Sequence, residues 1–157
     1  PGVRVSSEFG PRTPPATAGG GRGSSNHPGI DVACPVGIPI YAVADATVTF
    51  SGLQSGLPSN RGAGEHIILT WSDEPVGPRW RTTYRALYFH LRADSGRLVF
   101  QGDQVRAGQH IGYTGNTGNS SGPHLHFEIE VGRGNEVNPR DYVPHGAFPP
   151  PQRMTTT

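Results

Sequence analysis

Lysine is absent from this 157-residue chain, and cysteine and methionine occur once each. All 13 basic residues are arginine, a usage read as coding bias and given no functional weight. The formal net charge of +1 is too small for a nucleic-acid binder that works through a broad basic field. A single cysteine, Cys34, excludes an internal disulfide and says little about the redox compartment. No apolar run approaches the roughly 18 residues of a membrane span, and no signal peptide is visible. Because the chain begins at Pro1 rather than Met, it is expected to be a processed or excised segment, so the missing signal carries no message about export.

Long helices are also missing from the pattern. The 23 glycines and 16 prolines cut the chain into short pieces, while only 33% of residues are apolar. The length is that of one ordinary domain, and a single core is expected. Residues 38–50 (IPIYAVADATVTF) read as one or two strands, 65–71 (EHIILTW) as another, and 81–91 (RTTYRALYFHL) as a further one. Residues 11–25 and 52–64 read as long loops. Residues 97–113, interrupted by Gly102 and Gly108, predict a tight hairpin. The Pro-rich stretch 144–157 reads as a tail or linker after a domain of residues 1–143.

The segment PHLHFEIEV (123–131) is the most informative strand. Side chains alternate along a strand, so Leu125, Phe127, Ile129 and Val131 share one face and His124, His126, Glu128 and Glu130 the other. Two imidazoles thus stand side by side on a polar face with an apolar backing. Upstream, HPGID places His27 and Asp31 four residues apart across Pro28 and Gly29, which disfavour a helix and predict convergence across a turn. Zinc takes imidazole nitrogen and carboxylate oxygen and, in catalytic sites, three protein ligands with one open position. No HExxH motif is present. His90, in YFHL, reads on its own as a sheet histidine; beside the other three it becomes a candidate catalyst.

The motifs SEFGPR (7–12), HPGID, YFHL, GYTGNTGNSSGPHLHFEI (112–129) and NPRDY (138–142) occur in the order found in LytM or lysostaphin-type zinc metallopeptidases, the M23 peptidoglycan endopeptidases, which this sequence resembles through most of its length. The resemblance implies a mainly β fold of antiparallel sheets, like the duplicated hybrid motif (barrel-sandwich hybrid), with long loops forming a substrate groove. It implies one Zn2+ held by His27, Asp31 and His126, with His90 and His124 in catalytic roles, and hydrolysis of peptide cross-links in bacterial peptidoglycan without a side-chain nucleophile. Two neutral ligands and one anionic ligand leave the ion with a formal charge of about +1, enough to lower a bound water toward a pKa of about 7. His90 and His124 then divide proton acceptance and stabilisation of the oxyanion or leaving amine, in an order left open.

Two positions depart from the family pattern: Ala46, where glycine is expected, and Cys34, read as a buried small hydrophobe rather than a nucleophile. Glu128 is read either as a group that orients His126 or as a member of a surface salt bridge. Trp71, Trp80 and Tyr88 are read as core or loop anchors in preference to sugar contacts. Asn26, at the edge of loop 11–25, is a weak alternative metal ligand, but an open site is expected. Peptidoglycan is the expected partner, of a monomer without a membrane span, possibly part of a larger chain or particle, located outside the cell, in the periplasm or envelope, or on a phage virion. Competing readings are a non-catalytic domain that binds the wall or activates another hydrolase, and a structural module of a phage tail or secretion apparatus. The D-alanyl to diaminopimelate cross-link is preferred over glycine-containing bridges as the scissile bond.

Overall fold

The computed structural model describes residues 2–11, 26–57, 61–73, 81–94 and 96–143. Twelve short strands account for its regular structure: β1 (Arg4–Ser7), β2 (Gly10–Pro11), β3 (Asn26–His27), β4 (Ile30–Ala33), β5 (Pro39–Tyr41), β6 (Ala46–Leu53), β7 (Glu65–Ser72), β8 (Thr83–Leu91), β9 (Gln104–Val105), β10 (His110–Tyr113), β11 (His124–Val131) and β12 (Glu136–Val137). Among the described residues there is no α-helix; a 3-10 turn at Pro139–Asp141 is capped by the Asn138 side chain, which accepts from the Arg140 N–H. The chain is mainly β and its strand pairs are antiparallel.

The main sheet runs in the order β1-β4-β11-β8-β7-β6-β9, and two pairs, β5-β10 and β2-β3, stand outside it. β11 is an interior strand, between β4 and β8. One of its edges pairs with β8 over residues 126–131, and the other is shared, with β4 on residues 124–127 and β12 on residues 129 and 130. Period-two alternation sends Phe127 and Ile129 of β11 to one face, opposite Tyr88 and Ala86 of β8, which in turn oppose Ile67 and Leu69 of β7. Ile40, Ala42, Val99, Val105 and Ile111 cover that layer and complete the main core. Side chains of this size contribute about 1.5–3 kcal/mol each on full burial. A smaller cluster of Val5, Ile30 and Val32 closes over the β1-β4 end.

Residues 38–50 form two strands, β5 and β6, and the strands expected at 65–71 and 81–91 are β7 and β8. The ends of segment 97–113 do pair antiparallel, through an Arg97–Gly112 bridge with the Leu98 N–H donating to the Ile111 carbonyl and the Tyr113 N–H to the Gly96 carbonyl, but the stretch between them is not a tight hairpin. Glycine marks real turns there, at Gly102 and Gly108, but each passes the chain to a different partner: β9 pairs with β6 and β10 with β5. The loop expected to begin at Gly52 starts later, because β6 continues to Leu53. Residues 12–25 of the first long loop, Trp80 and the 144–157 tail lie outside the described residues. Tyr88 is in the core, with its hydroxyl donating to the Tyr41 carbonyl at 3.3 Å and accepting from the Val43 N–H at 3.1 Å. Trp71 packs against the core edge and stacks on Tyr84. Cys34 is buried, and burial pushes its thiol pKa up, as expected of an unreactive cysteine.

Candidate metal centre

His126 and Asp31 are direct cross-strand neighbours of β11 and β4. β3 brings in the third residue: after His27 the chain bends at Pro28 and Gly29 and re-enters the sheet at Ile30. That bend lies against β11, since a Cβ on Gly29 would sit 2.3 Å from the Phe127 carbonyl oxygen. Only glycine fits there, so the spacing of HPGID is set by backbone contact as well as by the donor groups.

Three donor atoms converge as a result. His27 Nε2 is 3.2 Å from His126 Nδ1 and 3.2 Å from Asp31 Oδ1, and His126 Nδ1 is 2.7 Å from Asp31 Oδ1. Ligands about 2.0–2.1 Å from a tetrahedral zinc stand about 3.3 Å apart, so this triangle suits the ion in size and in donor chemistry. Each imidazole is also held from its far side. His27 Nδ1–H donates to the Glu8 carbonyl at 2.9 Å, which leaves Nε2 with its lone pair toward the triangle. His126 Nε2–H donates to Glu128 at 2.8 Å. Glu128 is buried, so it orients His126 and takes no part in a surface salt bridge.

Without a cation, the triangle satisfies itself with a proton. Burial opposes ionisation of Asp31, but the hydrogen bond from His126 and the polar contact with His27 outweigh it and hold the carboxyl well below the usual carboxylate range. Burial likewise opposes charge on His126, yet hydrogen bonds to Asp31 and Glu128 push its pKa up to about 9. The pocket therefore favours positive charge between its carboxylates.

His124 and His90 complete the cluster, with ring centroids 4.7 Å apart. Both are fixed through Nδ1. His124 Nδ1–H donates to the Gly122 carbonyl at 2.8 Å, and His90 Nδ1–H to the Thr117 carbonyl at 2.7 Å, leaving each Nε2 as an acceptor. The Nε2 of His124 is 3.8 Å from Asp31 Oδ1, within reach of the triangle's edge. Burial, reinforced by the neighbouring imidazoles, lowers the His90 pKa to about 4, so His90 is neutral at physiological pH.

How His90 arrives there is a matter of local strain. Consecutive strand residues face opposite ways, yet the Phe89 ring stacks on His126 at 5.3 Å while His90 stands beside His124. The register between β7 and β8 slips between Glu65 and Ile67, and His90 adopts a positive φ of 65°, its N–H donating to the Ala63 carbonyl rather than to the regular ladder. A bulge thus turns two successive side chains to one face. The loop that supplies the Thr117 carbonyl is anchored on the same segment. Asn119 N–H donates to the Gly62 carbonyl, and Gly118 and Gly64 meet backbone to backbone, where a Cβ on either would lie 2.5 Å from the other's nitrogen.

All five histidines and carboxylates singled out in the sequence therefore lie in one cluster. Glu8, through its carbonyl, and Phe89, through its ring, are supports that sequence reasoning missed. No sequence signal marks a backbone carbonyl; Phe89 was accessible as the β8 residue facing His126. Asn26 is exposed and pairs through its backbone with Pro11.

The pattern described as peptidase family M23 matches residues 25–139, which include the whole cluster. The peptidoglycan DD-endopeptidase ShyA of Vibrio cholerae is 36% identical over 136 residues, 86% of this chain and 26% of ShyA. The chain spans about a quarter of the length of the curated relatives it matches. Among solved structures, the catalytic domain of lysostaphin, an antimicrobial peptidase of Staphylococcus simulans, superposes with a TM-score of 0.66 at 30% identity, covering 89% of this chain and 91% of that domain. A zinc-containing peptidase from Vibrio cholerae gives 0.63 at 30% identity, covering 94% of this chain and 38% of that one. With matched motifs, shared architecture and a metal-sized donor triangle all falling on the same residues, the chain belongs to peptidase family M23.

Proposed function

We propose that this chain is a zinc-dependent endopeptidase domain, residues 1–143, that hydrolyses peptide cross-links of bacterial peptidoglycan, with His27, Asp31 and His126 as zinc ligands and His90 and His124 as catalytic residues. The observation that carries the reading is the donor triangle with two further imidazoles beside it, each presenting an unprotonated Nε2. Zinc in the triangle would act as a Lewis acid and acidify water. The chain's own groups do the rest. The Glu8 carbonyl and the Glu128 carboxylate hold His27 and His126 so that one lone pair from each meets Asp31. His124 Nε2, on the more exposed side, takes a proton from the attacking water or returns one to the leaving amine. His90, kept neutral by burial, serves as the complementary partner.

Membership of a family that includes a peptidoglycan DD-endopeptidase supports the substrate class and is consistent with a location in the cell envelope or beyond it, and the D-alanyl to diaminopimelate bond is the cross-link we propose is cut. The test is zinc content by elemental analysis, followed by peptidoglycan clearing with the 157-residue chain, with and without chelator. Stoichiometric zinc, clearing lost to chelator and restored by zinc, and mass-spectrometric products cut at one bond are expected. A folded, zinc-loaded chain that binds the wall tightly but releases no product would overturn catalysis in favour of a wall-binding role.

A further inference from the structure

One buried histidine is not used by this mechanism. His66 lies in β7 at the bulge and continues a row of rings across the catalytic face. Phe89 stacks on His126 at 5.3 Å, His66 meets the Phe89 edge at 5.5 Å, and Phe50 of β6 stacks on His66 at 4.3 Å. Gly52, directly opposite His66 in the β6-β7 register, has no side chain, and the Phe50 ring lies across that space. Phe50 and Phe89 are half-buried, so the row is a floor and not an interior layer.

The hydrogen bonding of His66 is one-sided. Its Nδ1–H donates to the Gly64 carbonyl at 3.0 Å, which leaves Nε2 as an acceptor, and no described residue bonds to that atom. Among the described residues, Asn119 Oδ1 is the one fully enclosed side-chain polar atom without a partner, so the equally unpartnered Nε2 of His66 reaches solvent. An imidazole held by two rings and a carbonyl, presenting a lone pair on an apolar floor, is built to receive a donor. Burial lowers its pKa and keeps that lone pair free.

We infer that His66 is a substrate-positioning residue whose Nε2 accepts a hydrogen bond from an amide N–H or ammonium group of the peptide, while Phe89 and Phe50 carry the peptide's apolar side chains. The two ring-to-ring steps from His126 correspond to about three extended residues at about 3.3 Å each, so the contact falls on the stem peptide away from the bond that is cut. This rests on the peptidase reading of the site.

Binding separates the two ideas. In a zinc-loaded His124→Ala background, affinity for a purified disaccharide-tetrapeptide dimer is expected to fall about tenfold on His66→Phe, which keeps the stack and removes the acceptor. His66→Gln, which keeps an acceptor oxygen, should restore most of that loss, with zinc content equal in all three. In the His124→Ala protein with His66 intact, the 15N resonance of His66 Nε2 should move when the dimer is added, a readout that needs no folded His66 variant. Unchanged affinity in His66→Phe, or an unmoved Nε2 resonance, overturns the inference. His66-dependent binding with no hydrolysis by the unmutated chain would overturn the catalytic reading alone, and hydrolysis without His66 dependence would overturn this one alone.

Discussion

β11 and the end of β8 lie side by side, each contributes imidazole to the cluster, and they do so by opposite means. β11 is regular: His124 and His126 reach the same face by simple alternation, and the strand is paired on both edges. The end of β8 is irregular: a bulge and a positive φ force His90 to the same face as Phe89. The chemistry divides the same way. The regular strand holds His126 between two carboxylates and raises its pKa, whereas the strained position buries His90 and lowers its own. The donor triangle is built on regular scaffold, and His90 sits where desolvation keeps its imidazole uncharged.

The sharpest way to break this comparison is to remove one side chain from each part. His126→Ala or Asp31→Ala should abolish both zinc retention and hydrolysis, whereas His124→Ala or His90→Ala should retain zinc and lose about 10²–10⁴-fold in turnover. Elemental analysis paired with product assay reads both, and zinc loss in His124→Ala with retention in His126→Ala would exchange their roles. Glu128→Gln should weaken zinc affinity about 10–100-fold, measured by chelator competition, because it loosens His126 without removing a ligand.

Titration of the metal-free chain should expose the two halves separately. His126 has a folded pKa raised above the ordinary 6.5, so its contribution to stability is complete below about 6.5 and is lost as pH rises to about 9. His90 has a folded pKa lowered to about 4, so below about 6.5 the unfolded chain takes up a proton that the folded chain refuses, and stability decreases as the pH is lowered from about 6.5 to about 4. Metal-free Tm should therefore peak near neutral pH and decline by several degrees on either side. Zinc should flatten the alkaline limb, since bound metal replaces the His126 proton; an alkaline limb unchanged by zinc would count against His126 as a ligand. The smallest effect is expected at Cys34: Cys34→Ala should cost roughly 1 kcal/mol in denaturant unfolding and leave hydrolysis untouched, because the thiol is packed away from the cluster.

The regular half was legible in the sequence and the strained half was not. HPGID and HLH place donors by rules of alternation and turn chemistry, and those rules held because β4 and β11 are ordinary strands. His90 looked like a sheet histidine because a non-glycine residue at positive φ leaves no mark in the sequence. The polar face of β11 was identified by pattern, but the burial of Glu128 and Glu130 depends on the neighbours that cover them; Arg85 on β8, 2.6 Å from Glu130, is one. The reversal at 97–113 was legible, since its ends pair through Arg97 and Gly112, but the pairing of β9 with β6 and β10 with β5 was not, because local turn signals say where a chain reverses and not which distant strand receives it. Gly29 was read as a helix breaker, whereas its close approach to Phe127 is a tertiary requirement invisible without β11.

The pairing of β4 with β11 also has a temporal side. His126 is separated from Asp31 by 95 positions along the chain and from His27 by 99, so two donors emerge from the ribosome long before the third. Loop closure over that span is among the slower steps in folding a β protein. A nascent chain that has not yet delivered β11 holds two of the three clustered donors and lacks the strand that joins β4 to β8. Assembly of the donor triangle is thereby coupled to synthesis of β11, and a product truncated before Pro123 lacks both His124 and His126.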